Sequence, residues 1–142
     1  MVIIASSDPA VAAVAPYGGR TAVLTPDPIA IGIPTSGDPV LIDISASIST
    51  NGMAMRLYRE GKRFPGPWAM NATGQATDDP SVLFADPPGT LLPTGGKDHG
   101  HKGYGLALMI EALTQGLGGF GRAMRPTHAA QADRSAEGST GA

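Results

Sequence analysis

The feature that most constrains the fold of this chain is a glycine-rich turn that runs directly into its most apolar helical segment. The turn covers residues 95–105, and the apolar segment continues to about residue 117. Apolar side chains recur there at the spacing of one helix face, at Leu106, Met109, Ile110, Leu113 and Leu117. Because Ala107, Leu108 and Ala112 make the other faces apolar too, the pattern predicts a helix packed on several sides.

Lys102 lies where the first turn of this helix is expected. A first turn carries unpaired N–H groups and a partial positive charge, so a lysine there is unfavourable by roughly 0.3–1 kcal/mol. A bound anion would pair with both the ammonium group and the helix end, and Gly103 and Gly105 would let it approach the backbone closely. The same residues also fit a simple helix start with a solvated lysine, so the pattern leaves both interpretations open.

The sequence lacks the motifs of several other functional classes. His101 separates Gly100 from Lys102, so there is no P-loop, and no G-x-G-x-x-G follows a strand as in a Rossmann fold. There is no G-x-S-x-G, and without cysteine the sequence offers neither disulfides nor thiol chemistry. His99 and His101, together with Asp98, would need further ligands to hold a metal, so we predict no metal site.

The balance of charges gives no reason to expect a nucleic-acid or membrane partner. The 142 residues carry a formal net charge of −2, and 15% of them are charged. The apolar run from about Tyr104 to Leu117 spans ~14 residues, or roughly 21 Å, which is too short to cross a bilayer. Met1 leads straight into Val2 without the basic region of a signal peptide, so we expect a cytoplasmic protein.

Short apolar runs separated by turns predict an α/β fold with a mixed or antiparallel sheet and packed helices. The strand candidates are Val2–Ala5, Ile29–Ile33 and Val40–Asp43, with a hairpin turn at Thr35–Asp38. Residues 48–58 are a weaker helix candidate, which Gly52 interrupts. We predict one domain over residues 1–121 and a disordered tail over residues 122–142, where no apolar period remains.

Four segments of the chain match, in order, the motifs of one enzyme family. They are Thr25-Pro26-Asp27-Pro28 with G-T-N-P, Asp43-Ile44-Ser45-Ala46-Ser47 with D-M-A-T-S, residues 64–71 with I-P-x-G-W-A-[LVM]-D, and the loop His101-Lys102-Gly103-Tyr104-Gly105-Leu106. Together they resemble the cofactor-binding region of the malate/L-lactate dehydrogenase family, whose members use NAD or NADP on a non-Rossmann fold. Each match alone is short, and their common order makes the resemblance specific.

The resemblance implies an NAD- or NADP-dependent oxidoreductase. Its substrate would be a small 2-hydroxy or 2-oxo acid, such as malate or lactate, or a cyclic imino acid, and the protein would be a homodimer. The resemblance places the cofactor-binding residues at Ser7, Asp43, Ile44, Ser45 and Lys102. From chemistry alone, Ser7 also fits a turn-capping serine, and Asp43 fits an N-cap for the following helix.

No catalytic residue is predicted in this chain. In the family the proton donor is a histidine upstream of the matched region, and Asn71 stands where the family usually has an aspartate near the active site. The start of the chain reads as a cut within a larger protein, and without the C-terminal part of the family fold apolar surface would be exposed. We therefore expect weak or no turnover by this chain alone. The alternatives are a non-catalytic truncated paralogue that folds or associates, and a phosphate-binding module for another ligand.

Overall fold

A three-stranded antiparallel sheet forms from the first strands of the chain. The computed structural model describes residues 1–8 and 11–119, and the sheet has the order β1 (Val2–Ala5), β2 (Pro28–Ile33), β3 (Val40–Ser45). Ile4 pairs with Ala30, which in turn pairs with Asp43. In the turn between β2 and β3, the Thr35 hydroxyl donates to the Asp38 carbonyl at 2.8 Å. The three predicted strands and the hairpin are confirmed, and β3 continues two residues beyond its predicted end.

Both faces of this sheet carry exposed apolar side chains. Because side chains alternate along a strand, Ile3 and Ile42 share one face while Ile4 and Leu41 share the other. Ile4 is 62% exposed and Leu41 is 77% exposed. Apolar surface of this extent marks a face that proteins usually cover.

Helix α1 (Asn51–Arg59) starts three residues later than the sequence predicts. Thr50 is its N-cap, and the threonine hydroxyl accepts a hydrogen bond from the Met53 N–H at 3.1 Å. This bond satisfies one of the unpaired donors of the first turn. Gly52 lies within that turn and does not interrupt the helix, so this part of the prediction is wrong. A glycine lowers helix propensity by only about 1 kcal/mol, which the cap and the packing of α1 offset.

A second antiparallel sheet, absent from the sequence prediction, builds the centre of the fold. It has the order β5 (Ala76–Thr77), β4 (Ala69–Met70), β6 (Thr90–Leu91). Strands of two residues carry no readable alternation, which is why they were missed. A 3-10 helix at Pro80–Phe84 precedes β6, and the Asp79 carboxylate caps it by accepting from the Ser81 N–H at 2.9 Å. The core around this sheet includes Val14, Leu24, Ala54, Phe64, Leu91 and Ala107.

The apolar segment near the C-terminus forms a helix, as predicted. Helix α2 (Gly96–His99) lies within the glycine-rich stretch, α3 (His101–Glu111) follows, and a π-helical turn covers Ala112–Gly116. Ala107 and Ile110 are buried, but Leu113 is 49% exposed and Leu117 80% exposed. The described residues therefore cover one side of α3, and within residues 1–8 and 11–119 the prediction of packing on several sides is wrong.

The predicted tail, residues 122–142, lies outside the described residues. Within residues 1–8 and 11–119, no helix combines the length and apolar character that a membrane crossing requires.

Candidate cofactor-binding site

Lys102 is the second residue of α3, and its side chain is exposed. It makes no ion pair with a carboxylate in the part of the chain that the structure describes. A free ammonium group therefore lies at the positive end of an eleven-residue helix. This is the arrangement that an anionic ligand would stabilise.

The two glycines after Lys102 have different surroundings. A Cβ at Gly103 would overlap the Thr94 N–H and would lie 2.5 Å from the Ala46 carbonyl oxygen. Gly103 thus lets α3 pack directly on the protein backbone, and its space is not open to a ligand. A Cβ at Gly105 would meet nothing within 4 Å. The expectation that Gly103 allows a ligand to approach is wrong, because protein atoms fill that space.

Thr94 joins the start of α3 to the end of β3. Its hydroxyl donates to the Ser45 carbonyl at 3.0 Å, and its N–H donates to the Ala46 carbonyl at 2.7 Å. Its own carbonyl accepts from the Gly103 N–H at 3.0 Å. These bonds bring Ser45 and Lys102, which are far apart in sequence, to the same region.

The Asp43–Ser45 segment presents its side chains in two directions. Asp43 is exposed within β3, on the face that carries Ile4 and Leu41, and it borders a depression of about 330 Å³ there. Strand alternation puts Ser45 on the same face and Ile44 on the other. The alternative in which Asp43 caps the following helix is wrong, because Thr50 holds that position.

Ser7 lies near the other end of α3. Its hydroxyl donates to Glu111 Oε1 at 2.8 Å, and Glu111 is the last residue of the helix. Lys102 and Glu111 are nine positions apart, which corresponds to roughly 13 Å along the helix axis. A ligand that contacts both Lys102 and Ser7 would therefore have to extend along α3.

Ser7 belongs to a buried polar cluster with Thr25, Asp27 and Glu111, which sequence reasoning did not find. Asp27 is fully buried, and its Oδ1 accepts from the Thr25 hydroxyl at 2.6 Å. Burial raises the pKa of Asp27 to about 6, and the negative charge of Glu111 adds to the rise, while hydrogen bonds from Thr25 and Ser7 oppose it. One sequence feature could have indicated this cluster, which is the ionisable residue between two prolines at Pro26-Asp27-Pro28.

Comparison with known proteins decides which family this site belongs to. The family model for malate/L-lactate dehydrogenase matches residues 1–141. The chain belongs to the malate/L-lactate dehydrogenase family. The resemblance inferred from the four motifs is therefore confirmed, together with the non-Rossmann α/β fold.

This chain spans about a third of the length of the relatives that it matches. L-sulfolactate dehydrogenase from Methanothermobacter thermautotrophicus is 41% identical over 89% of this chain and 35% of the relative. (2R)-3-sulfolactate dehydrogenase (NADP(+)) from Chromohalobacter salexigens is 39% identical over 75% of this chain and 30% of the relative. The crystal structure of malate dehydrogenase from Entamoeba histolytica superposes with a TM-score of 0.72 at 32% identity, covering 81% of this chain and 34% of that structure.

Two of the departures from the malate/L-lactate dehydrogenase family motifs exchange an acid and its amide. Asp27 stands where the motif has asparagine, and it has a φ of 48°, a conformation that asparagine and aspartate tolerate better than other side chains. Asn71 stands where the motif has aspartate. Its Oδ1 accepts from the Thr73 N–H, the Thr73 hydroxyl and the Gln75 N–H at 2.8–3.1 Å. The amide of Asn71 therefore holds the turn before β5.

Proposed function

We propose that this chain forms the cofactor-binding part of an NAD- or NADP-dependent oxidoreductase acting on a small 2-hydroxy or 2-oxo acid. The observation that carries the proposal is the meeting of an unpaired Lys102 with the Ser45 segment, held together by Thr94. Relatives named malate and sulfolactate dehydrogenases support the substrate class. A relative whose name includes NADP(+) supports a nicotinamide cofactor.

The residues present suit the polar parts of such a cofactor. In this proposal the Lys102 ammonium binds a phosphate, because it has a free positive charge at a helix start. The Asp43 carboxylate accepts hydrogen bonds from a ribose. The Ser45 hydroxyl on the same face of β3 donates to the Ser47 carbonyl at 2.8 Å, so it also acts as an acceptor. Ile44 is assigned to the site by family resemblance, and its side chain lies on the opposite face. Ser7 bounds the far end of the site. When bound, the nicotinamide supplies hydride chemistry that no side chain of this chain provides.

The test is a titration of NADH and NADPH into the purified chain, followed by cofactor fluorescence. Lys102→Ala removes the proposed phosphate contact, and losing a charge-assisted contact should weaken affinity by roughly tenfold to a hundredfold. Lys62→Ala is the matched control, since Lys62 is exposed, lies beyond α1 and pairs with Glu60 at 2.8 Å. Equal affinities for wild type and Lys102→Ala would reject the role of Lys102.

A non-catalytic role is the second candidate. The exposed apolar faces of the β1–β3 sheet favour it, since a chain that mainly associates would display such surface. We also propose that the protein is a homodimer, as the family resemblance implies, and that it is located in the cytoplasm. Light scattering of the purified chain tests the dimer, and cell fractionation tests the location.

A further inference from the structure

Two cationic side chains line a cavity that Lys102 does not reach. The cavity has a volume of about 370 Å³ and lies between the Pro16–Arg20 turn and the start of α2. Its lining includes Tyr17, Arg20, Met70, Leu92, Gly96 and Lys97. This volume is at the lower end of the range for small-molecule sites.

The walls of this cavity are held by hydrogen bonds within and between two turns. Gly19 N–H donates to the Pro16 carbonyl at 2.9 Å, and Gly96 N–H donates to the Pro93 carbonyl at 2.8 Å. Tyr17 connects the first turn to α2, which follows the second, because its hydroxyl donates to the Asp98 carbonyl at 3.3 Å. The cavity is therefore built into the fold before any ligand binds, which lowers the entropy cost of binding.

Arg20 is held at the boundary of two cavities. A Cβ at Gly74 would lie 2.7 Å from Arg20 Cδ, so the aliphatic part of the arginine packs on the bare backbone of Gly74. Gly74 has a φ of 89°, and the Asn71 side chain holds its turn. Arg20 also lines a neighbouring cavity of about 320 Å³ together with Ala72. Arg20 therefore borders two neighbouring cavities.

Neither cation has an acidic partner among the residues that the structure describes. Arg20 and Lys97 make no ion pair with a carboxylate within residues 1–8 and 11–119. The floor between them is apolar, since Met70 and Leu92 are buried there. Uncompensated positive charges beside an apolar floor suit an oxyanion that carries a short carbon chain, and a guanidinium can bind such a group through two hydrogen bonds.

We propose that the Arg20–Lys97 cavity binds the anionic group of a small ligand, a carboxylate, sulfonate or phosphate. The proposal deepens the proposed function, because it assigns one charged group of the cofactor or the acid substrate to a subsite separate from Lys102. Binding of a simple dianion tests it without cofactor. Its outcome is thus independent of the NADPH titration, and either idea can fail alone.

The experiment follows backbone amide signals of the full chain by NMR while malonate is added at constant ionic strength. The amides of Gly18, Gly19 and Gly96 should shift and saturate, whereas neutral malonamide should leave them in place. Arg20→Gln and Lys97→Gln should each weaken malonate binding about fivefold to tenfold, a value reduced for the exposure of both groups. Arg59→Gln, which removes a positive charge at the end of α1, should bind malonate like the wild type.

Two further arms complete the test. Gly74→Ala keeps both charges but displaces Arg20, so it should also weaken malonate binding. Addition of NADP⁺ to the malonate complex identifies the source of the oxyanion. Displacement of malonate assigns the cavity to a cofactor phosphate, and retention of malonate while the Lys102 amide signal shifts with bound NADP⁺ assigns it to the acid substrate. Signals that never saturate, an equal response to malonamide, or unchanged affinity in both Arg20→Gln and Lys97→Gln would overturn the proposal. Lys97→Gln stays decisive if an Arg20 variant fails to fold.

Discussion

Replacing Asp27 by asparagine should stabilise the protein at neutral and alkaline pH. Asp27 is fully buried beside Glu111, and its pKa is raised from 3.8 to about 6. The folded state therefore binds the Asp27 proton more tightly than the unfolded state. Protonated Asp27 therefore stabilises the folded state fully below pH 4, and this stabilisation is lost as the pH rises through about 6.

The size of the effect follows from that difference in pKa. One pKa unit corresponds to about 1.4 kcal/mol, so ionised Asp27 lowers the free energy of unfolding at pH 8 by roughly 3 kcal/mol relative to its protonated form. Asparagine keeps the oxygen that accepts from Thr25 and replaces the second oxygen by an N–H donor beside Glu111. It also tolerates the φ of 48° at this position. Allowing for imperfect pairing of the new amide, we expect Asp27→Asn to gain about 1–2 kcal/mol at pH 8.

The assay is urea denaturation of wild type and Asp27→Asn at a series of pH values from 4 to 8. The two proteins should have similar free energies of unfolding near pH 4, and the variant should be more stable at pH 8. In a thermal scan at pH 8, the unfolding midpoint of the variant should be roughly 3–8 °C higher than that of the wild type. Asp38→Asn is the control, because it removes the same charge from an exposed turn. A variant that is no more stable at pH 8, or that keeps the wild-type pH dependence between 4 and 7, would refute the assignment of an ionisable, buried Asp27.

Two further predictions concern the helices, and both are measured by chemical denaturation. Gly103→Ala should destabilise the fold by about 3 kcal/mol or more, because its Cβ would overlap the backbone at Thr94; Gly105→Ala, with open space around it, should instead gain roughly 0.5–1 kcal/mol. Equal effects of these two substitutions would contradict the packing described for α3. Thr50→Ala should cost about 1 kcal/mol through loss of the α1 cap, and an unchanged free energy of unfolding would show that this hydrogen bond contributes nothing.

The sequence predicted the elements that have a clear period and missed those that depend on tertiary contacts. The alternating or continuous apolar runs of β1, β2 and β3 are long enough to be recognised, as is the helical spacing around Ile110. The two-residue strands of the second sheet are defined by hydrogen bonds to distant partners, such as Ala69 with Thr77 and Leu91. No local pattern encodes those pairings.

In the candidate site, too, some residues could be recognised from the sequence and others only from the fold. Lys102 was recognisable because a lysine at a helix start is locally unfavourable, and the family resemblance pointed to Ser7 and Ser45. The cluster of Asp27 with Glu111 joins residues 84 positions apart on the printed sequence, and only the fold brings them together. The cavity around Arg20 likewise depends on Gly74, whose contact with the arginine follows from the turn that Asn71 holds.

The proposed function predicts that this chain binds a nicotinamide cofactor and turns over little or no substrate by itself. General acid catalysis is typically worth 10²–10⁴-fold, and the family resemblance assigns that role to none of the three histidines. The most direct measurement begins with a titration of NADPH into the purified chain, followed by cofactor fluorescence. Pyruvate, oxaloacetate or piperideine-2-carboxylate is then added to the same sample, and NADPH oxidation is recorded. We expect saturable, weak NADPH binding and no substrate-dependent oxidation above background. Oxidation at typical enzyme rates, on the order of 1–10³ per second, or no NADPH binding at all, would contradict this prediction.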